Sequence, residues 1–151
     1  MSDLKARLQT DLTSAIRARD DVTTATLRMA LAAVTTEEVA GSSARELSDD
    51  EVLKVLAREA KKRREAAEAF RAGDRPALAE RELAEGAVLD RYLPTQLDDA
   101  AITELVAAAI AETGATGMPQ MGAVMKAAQA RAAGRADGKR LSTEVRRQLV
   151  G

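Results

Sequence analysis

The stretch "ELSDDEVLKVLAREAKKRREAAEAF", Glu46 to Phe70, decides the fold. Ser48, followed three residues later by Glu51, is the pairing in which a hydroxyl and a carboxylate each accept from the other's backbone N–H at a helix start. Leu47 stands where it can staple toward Val52. Val52, Val55, Leu56, Ala60, Ala67 and Phe70 then recur at helical spacing as one apolar stripe. The spacing predicts a helix from the Ser48 cap to about Arg71, ending at Gly73. Glu59 and Arg63 fall in the middle of that stripe, four apart in the order that suits a helix ion pair, so a partly buried pair is expected there.

The same grammar extends outward. A first helix is expected over Asp3–Asp20, with Leu4, Leu8, Leu12, Ala15 and Ile16 inward, and a second over Val22–Val39, with Leu27, Ala30, Leu31 and Val34 inward. "GSSARE" reads as a loop. Asp74 is expected to cap a fourth helix that carries Pro76 in its first turn. Gly86 inside that helix costs about 1 kcal/mol relative to alanine. In "YLPTQLDDA", Pro94 disfavours helix at Leu93, and Leu97–Asp98 repeat the staple and cap of Leu47–Ser48. A domain boundary therefore belongs here, between an N-terminal helical domain, 1–93, and a three-helix C-terminal domain, 94–151. The C-terminal helices are expected over Asp99–Glu112, Met118–Ala133 and from an Asp137 cap to about Val150, with "TGATGMPQ" as a loop and Gly134 as a C-terminal cap. Phe70 and Tyr92 are the only aromatics, β-branched alternation is missing, and alanine, leucine, glutamate and arginine dominate. The fold class is all-α.

Composition limits the chemistry. The 151 residues include no cysteine and no histidine, which removes disulfides, thiolates, the commonest general base and the commonest metal ligand. No nucleophile–base pair is visible, so no catalytic residue and no cofactor are assigned. The carboxylates of "SDDE", Ser48 to Glu51, are explained by capping and lack metal-ligand spacing, so no metal is expected. No apolar run approaches the roughly 20 residues of a membrane span. "MSDLKARLQTDL" reads as an amphipathic helix start and not a signal peptide, and a cytoplasmic location is expected. Met118, Met121 and Met125, at three- and four-residue spacing, read first as a core stripe and second as an adaptable docking face.

Charge is where a partner is suggested. The net charge is −1, but Arg131–Gly151 holds six basic and two acidic residues, a local +4 that leaves −5 on the other 130. "GRADGKRLSTEVRRQL", Gly134 to Leu149, fails the spacing of a phosphate-binding loop, and an aspartate cap at Asp137 takes the amides a phosphate would want. What remains is a helix surface with Leu141, Val145 and Leu149 inward. Arg131, Arg135, Lys139, Arg140, Arg146 and Arg147 form the candidate set for RNA phosphates. Basic residues in a last turn also complement the helix dipole, which accounts for Arg146 and Arg147 better than for Arg135, Lys139 and Arg140. A second basic ridge is expected at Lys54, Arg58, Lys61 and Lys62, with the acidic stretch Glu65–Glu85 as its internal alternative partner.

"LRMALAAV", "ELSDDEVLKVLAREAKKRREAAEAF", "DRYLPTQL", "ETGATGMPQMGAVM" and "GRADGKRLSTEV", in this order along the whole chain, resemble the GatB/YqeY family. The resemblance implies a two-domain helical fold whose C-terminal part is similar to the tail domain of the B subunit of glutamyl/aspartyl-tRNA amidotransferase. It implies a tRNA-handling tail without an amidation centre, and nominates Gly134–Lys139 and the helix after it as the contact region. The chain departs from the family's pattern at Ala130, where relatives carry proline nearby, and at Gly86, where they tend to a large apolar residue; both changes bear on local packing. The expected function is a noncatalytic tRNA-binding accessory. A module docking on a tRNA amidotransferase or synthetase through the methionine stripe is the alternative, and a carbon–nitrogen ligase with glutamine as amido donor, the activity the family label carries, ranks third.

Overall fold

The chain folds into seven α-helices with no strand, five of them opened by a side-chain cap. The computed structural model describes all residues, 1–151. Contacts gather into two units, Met1–Leu93 and Pro94–Gly151. No helix is long and apolar enough to cross a membrane.

The first unit holds α1 (Asp3–Ala18), α2 (Asp21–Glu38), α3 (Asp49–Ala72) and α4 (Pro76–Asp90). Ser2 caps α1, accepting from Lys5 N–H at 3.0 Å. Arg19 takes a left-handed turn (φ 55°), which lets α2 start at once under Asp20. Asp20 accepts from the amide and hydroxyl of Thr23, and these bonds hold its carboxyl below the usual range. The Ser48–Glu51 capping box is present, both arms 3.2 Å, with Leu47 buried beside it. Leu8, Leu27, Val34, Val52, Leu56 and Leu89 form the centre of the core. Tyr92 closes the unit. Its hydroxyl donates to Asp11 at 2.5 Å, and the Arg7 guanidinium lies 4.7 Å over its ring. Burial first, then Asp11, pushes the phenol far above its ordinary value, so it remains a donor.

Two expectations fail in this unit. Asp74 does not cap α4: it sits in the left-handed region (φ 57°), and Arg75 N–H reaches back to Phe70 C=O at 2.8 Å. Asp74 is thus the left-handed residue that ends α3, a position aspartate tolerates. Arg75 precedes α4 without a side-chain cap, and Pro76 opens the helix with no N–H to satisfy. Ile16 is 47% exposed, because it stands about 80° around α1 from the buried Leu8, past the edge of the stripe.

The expected Glu59–Arg63 pair is present and has a third member. Arg63 is 5% exposed. Its Nη1 donates to Glu59 C=O at 3.1 Å and lies 3.7 Å from the Glu59 carboxylate. Its Nε is 3.6 Å from Glu85 on α4, and its Nη2 meets the sulfur of Met29 on α2 at 3.5 Å. One guanidinium therefore touches α2, α3 and α4. Gly86 packs over its stem: a Cβ built there would lie 3.9 Å from Arg63 Cβ, an ordinary contact. Glycine at position 86 keeps the backbone cost without a steric need for it.

The second unit holds α5 (Asp99–Thr113), α6 (Met121–Ala132) and α7 (Gly138–Val150). Ile102, Val106, Ala109, Val124, Ala128, Leu141 and Val145 are its core. The α-helix expected from Met118 begins at Met121, because Met118–Gln120 form a 3₁₀ turn around Pro119. Met121 and Met125 pack on this core, whereas Met118 is 39% exposed.

Gly86→Ala is expected to stabilise the first unit by about 0.5–1 kcal/mol, the helix penalty removed. Arg63→Ala is expected to cost about 3 kcal/mol or more, since it strips the buried Glu85 of a partner and leaves a cavity. Urea unfolding of both variants, followed by circular dichroism, checks the opposite signs.

Candidate nucleic-acid interface

The basic end of the chain is organised by the turn between α6 and α7. Ala133 (φ 49°) and Gly134 (φ 80°) are consecutive left-handed residues, so the cap expected at Gly134 begins one residue earlier. Asp137 caps α7 as expected, accepting from Arg140 N–H at 2.8 Å. That amide is no longer available to a phosphate. The segment before α5 is pinned to this turn: Leu97 N–H donates to Arg135 C=O at 2.8 Å, and Gln96 reaches Gly134 C=O at 3.4 Å.

The six cations divide by what they touch. Arg140 spans two helix starts, with Nη1 donating to Leu97 C=O at 2.8 Å and Nη2 to Asp99 at 2.9 Å. Arg131 pairs with Glu112 at 3.0 Å. Arg147 Nε donates to Glu144 at 2.9 Å. Arg135, Lys139 and Arg146 have no carboxylate partner and are exposed; Arg135 Nε donates only to Ala132 C=O at 3.2 Å. At about 100° per residue, Lys139, Thr143 and Arg146 lie within one narrow outward strip of α7, opposite the buried Leu141 and Val145. A cleft of about 280 Å³ between α5 and α7 takes in Lys139 and Thr143 of that strip, and the carboxylates of Asp99 and Glu144 line it as well. Lys126, exposed on α6 and free of carboxylates, is missing from the sequence-based set because a lone lysine leaves no run to notice.

The ridge on α3 is half neutralised. Arg58 meets Glu37 at 3.4 Å and Lys62 meets Glu59 at 3.3 Å, while Lys54 and Lys61 have no acidic partner. The acidic stretch Glu65–Glu85 does not supply these partners. Glu85 turns inward to Arg63 and Arg81, and Glu80 pairs with Arg71. Two of the three "SDDE" carboxylates have protein partners: Glu51 meets Arg45 at 2.6 Å, and Asp49 accepts from Leu4 N–H at 3.0 Å. No group of three or more His, Cys, Asp or Glu side chains is placed to hold a metal ion.

The family described as "Yqey-like protein" matches this chain over residues 5–149, nearly its whole length. No curated protein matches it.

Glu144 gives this unit a pH signature. The hydrogen bond from Arg147, then that from Gln148, holds its carboxyl down at about 2, against an ordinary 4.5. A lowered folded-state value favours folding above the ordinary value, and the gain is lost as pH falls toward the folded one. Acid unfolding of the C-terminal unit should therefore steepen between about pH 4.5 and 2. Glu144→Gln should flatten that part of the curve, which circular dichroism at fixed temperature will read.

Proposed function

The chain belongs to the YqeY-like family, and from that membership and its unpaired C-terminal cations we propose that it is a noncatalytic RNA-binding accessory, with tRNA as its first ligand. One observation carries the reading: Arg135, Lys139 and Arg146 are exposed without a carboxylate partner, while the other three cations of the set are engaged within the unit. Free cations gain from phosphate what paired ones must first give up. The C-terminal unit has no aromatic side chain, so base stacking is closed to it and recognition rests on backbone charge and shape. The likeness of this part to an amidotransferase tail belongs to the same proposal, and it brings an RNA-holding role and no chemistry.

The docking alternative loses most of its surface. Met121 and Met125 are engaged with their own core, which leaves Met118 alone of the stripe exposed. A carbon–nitrogen ligase would need a nucleophile with a base beside it, and without histidine or cysteine the commonest such pairs are missing from the chain.

Fluorescence anisotropy with bulk tRNA over about 50–200 mM salt is the test. Binding with a steep salt slope is expected. Arg135→Glu with Lys139→Glu should weaken it roughly tenfold or more and lower the slope by about two, one per lost phosphate contact. Arg140→Glu should instead lower the melting temperature, because it cuts the tie between α7 and the start of α5. Unchanged affinity and slope in the Arg135/Lys139 double variant would remove the site, and no binding at low salt would remove the function.

A further inference from the structure

Between α2 and α3 runs a groove of about 550 Å³, lined by Met29, Ala32, Ala33, Val55, Arg58 and Glu59 among others. Met29 is 48% exposed, so solvent reaches it. Its sulfur nevertheless lies 3.5 Å from Nη2 of Arg63, a cation only 5% exposed. That cation is short of acceptors. A guanidinium offers five N–H donors, and here Nε has no hydrogen-bond partner while Nη2 has only a thioether, a weak acceptor. The α2 side of this buried charge is therefore satisfied by the poorest acceptor a side chain provides. No hydrogen bond reaches the sulfur of the other exposed methionines, Met1 and Met118.

We infer that Met29 is an oxidation site whose sulfoxide oxygen Arg63 holds, so that the modification tightens the α2–α3–α4 packing. The co-reactant is a peroxide. The sulfur lone pair attacks one oxygen of hydrogen peroxide and the O–O bond breaks. The departing hydroxide takes the proton of the transferred oxygen and leaves as water. Sulfur loses two electrons and the peroxide gains them. The product carries a strongly polar oxygen beside donors that lack one, and such charge-assisted hydrogen bonds are the strong kind. Elsewhere methionine sulfoxide disrupts apolar packing, which makes the sign of the effect diagnostic.

The full chain is treated with hydrogen peroxide, sulfoxide at each methionine is read by peptide mass spectrometry, and melting temperatures are compared for wild type and Met29→Leu. Both proteins oxidise at Met1 and Met118, so their difference reports Met29. Met29 is expected to convert at least as fast as Met118. Oxidation is expected to shift the wild-type melting temperature upward relative to the same treatment of Met29→Leu, by about 3 °C or more. Met29→Gln places an amide oxygen at this position without peroxide and should melt above Met29→Leu. The inference requires all three results. Slower conversion than Met118, a zero or negative relative shift, or Met29→Gln melting at or below Met29→Leu overturns it.

Discussion

The N-terminal unit depends on one buried cation. Four helices rich in alanine leave few large side chains to interlock, and the longest helix carries Arg63 on its apolar stripe. A charge placed there must find partners or the unit will not close. Glu59 in its own helix, Glu85 in α4 and the sulfur of Met29 in α2 surround it. These contacts select how the hairpin of α3 and α4 meets α2. A slip of one residue along α4 would replace Glu85 by an alanine or a glycine and strand the guanidinium. An apolar residue at position 63 would pack as well and tolerate many more arrangements. The buried network thus fixes register at some cost in stability, the use of buried ions that is best attested.

Arg140 has a corresponding role in the C-terminal unit, in a wetter setting. Its guanidinium joins the start of α7 to the start of α5 through Leu97 C=O and Asp99. Both units are held by an arginine that reaches two or three elements, where a richer sequence would use leucine or phenylalanine. Arginine suits this because its planar fork donates in several directions at once. The consequence is functional. An arginine spent on holding helices together is not free to meet a ligand, so counting basic residues overstates the surface available to a phosphate.

That distinction separates what could be read in the sequence from what could not. Helix positions were legible because the apolar period and the caps are local: Ser48, Asp98 and Asp137 all cap as their spacing implies. The Glu59–Arg63 pair was legible for the same reason, both residues lying on one stripe. Glu85 was not, since its meeting with Arg63 requires α4 to fold back on α3. Asp74 misled because aspartate suits both a helix start and a left-handed turn, and the reach of Arg75 N–H to Phe70 C=O decided between them. In the basic segment, residue types were plain, but Glu112, Asp99 and Glu144 became partners only through packing or side-chain choice. Periodicity shows which way a cation faces and not what sits beside it.

The net charge of −1 carries little weight in this question. At physiological ionic strength charges more than about 8 Å apart are largely screened, so a phosphate responds to its immediate neighbours. What matters is whether a cation has a carboxylate within contact range. By that measure Lys139 and Arg146 on α7 and Arg135 on the preceding turn outrank Arg131 and Arg147, whose partners lie 3.0 and 2.9 Å away. Thr143 extends the free strip on α7 with a hydroxyl that can both donate and accept. The C-terminal unit offers exposed, unpaired cations and no aromatic ring that could stack on a base. On the proposed RNA-binding role, recognition would rest on backbone charge and shape, which favours a folded RNA over a single strand.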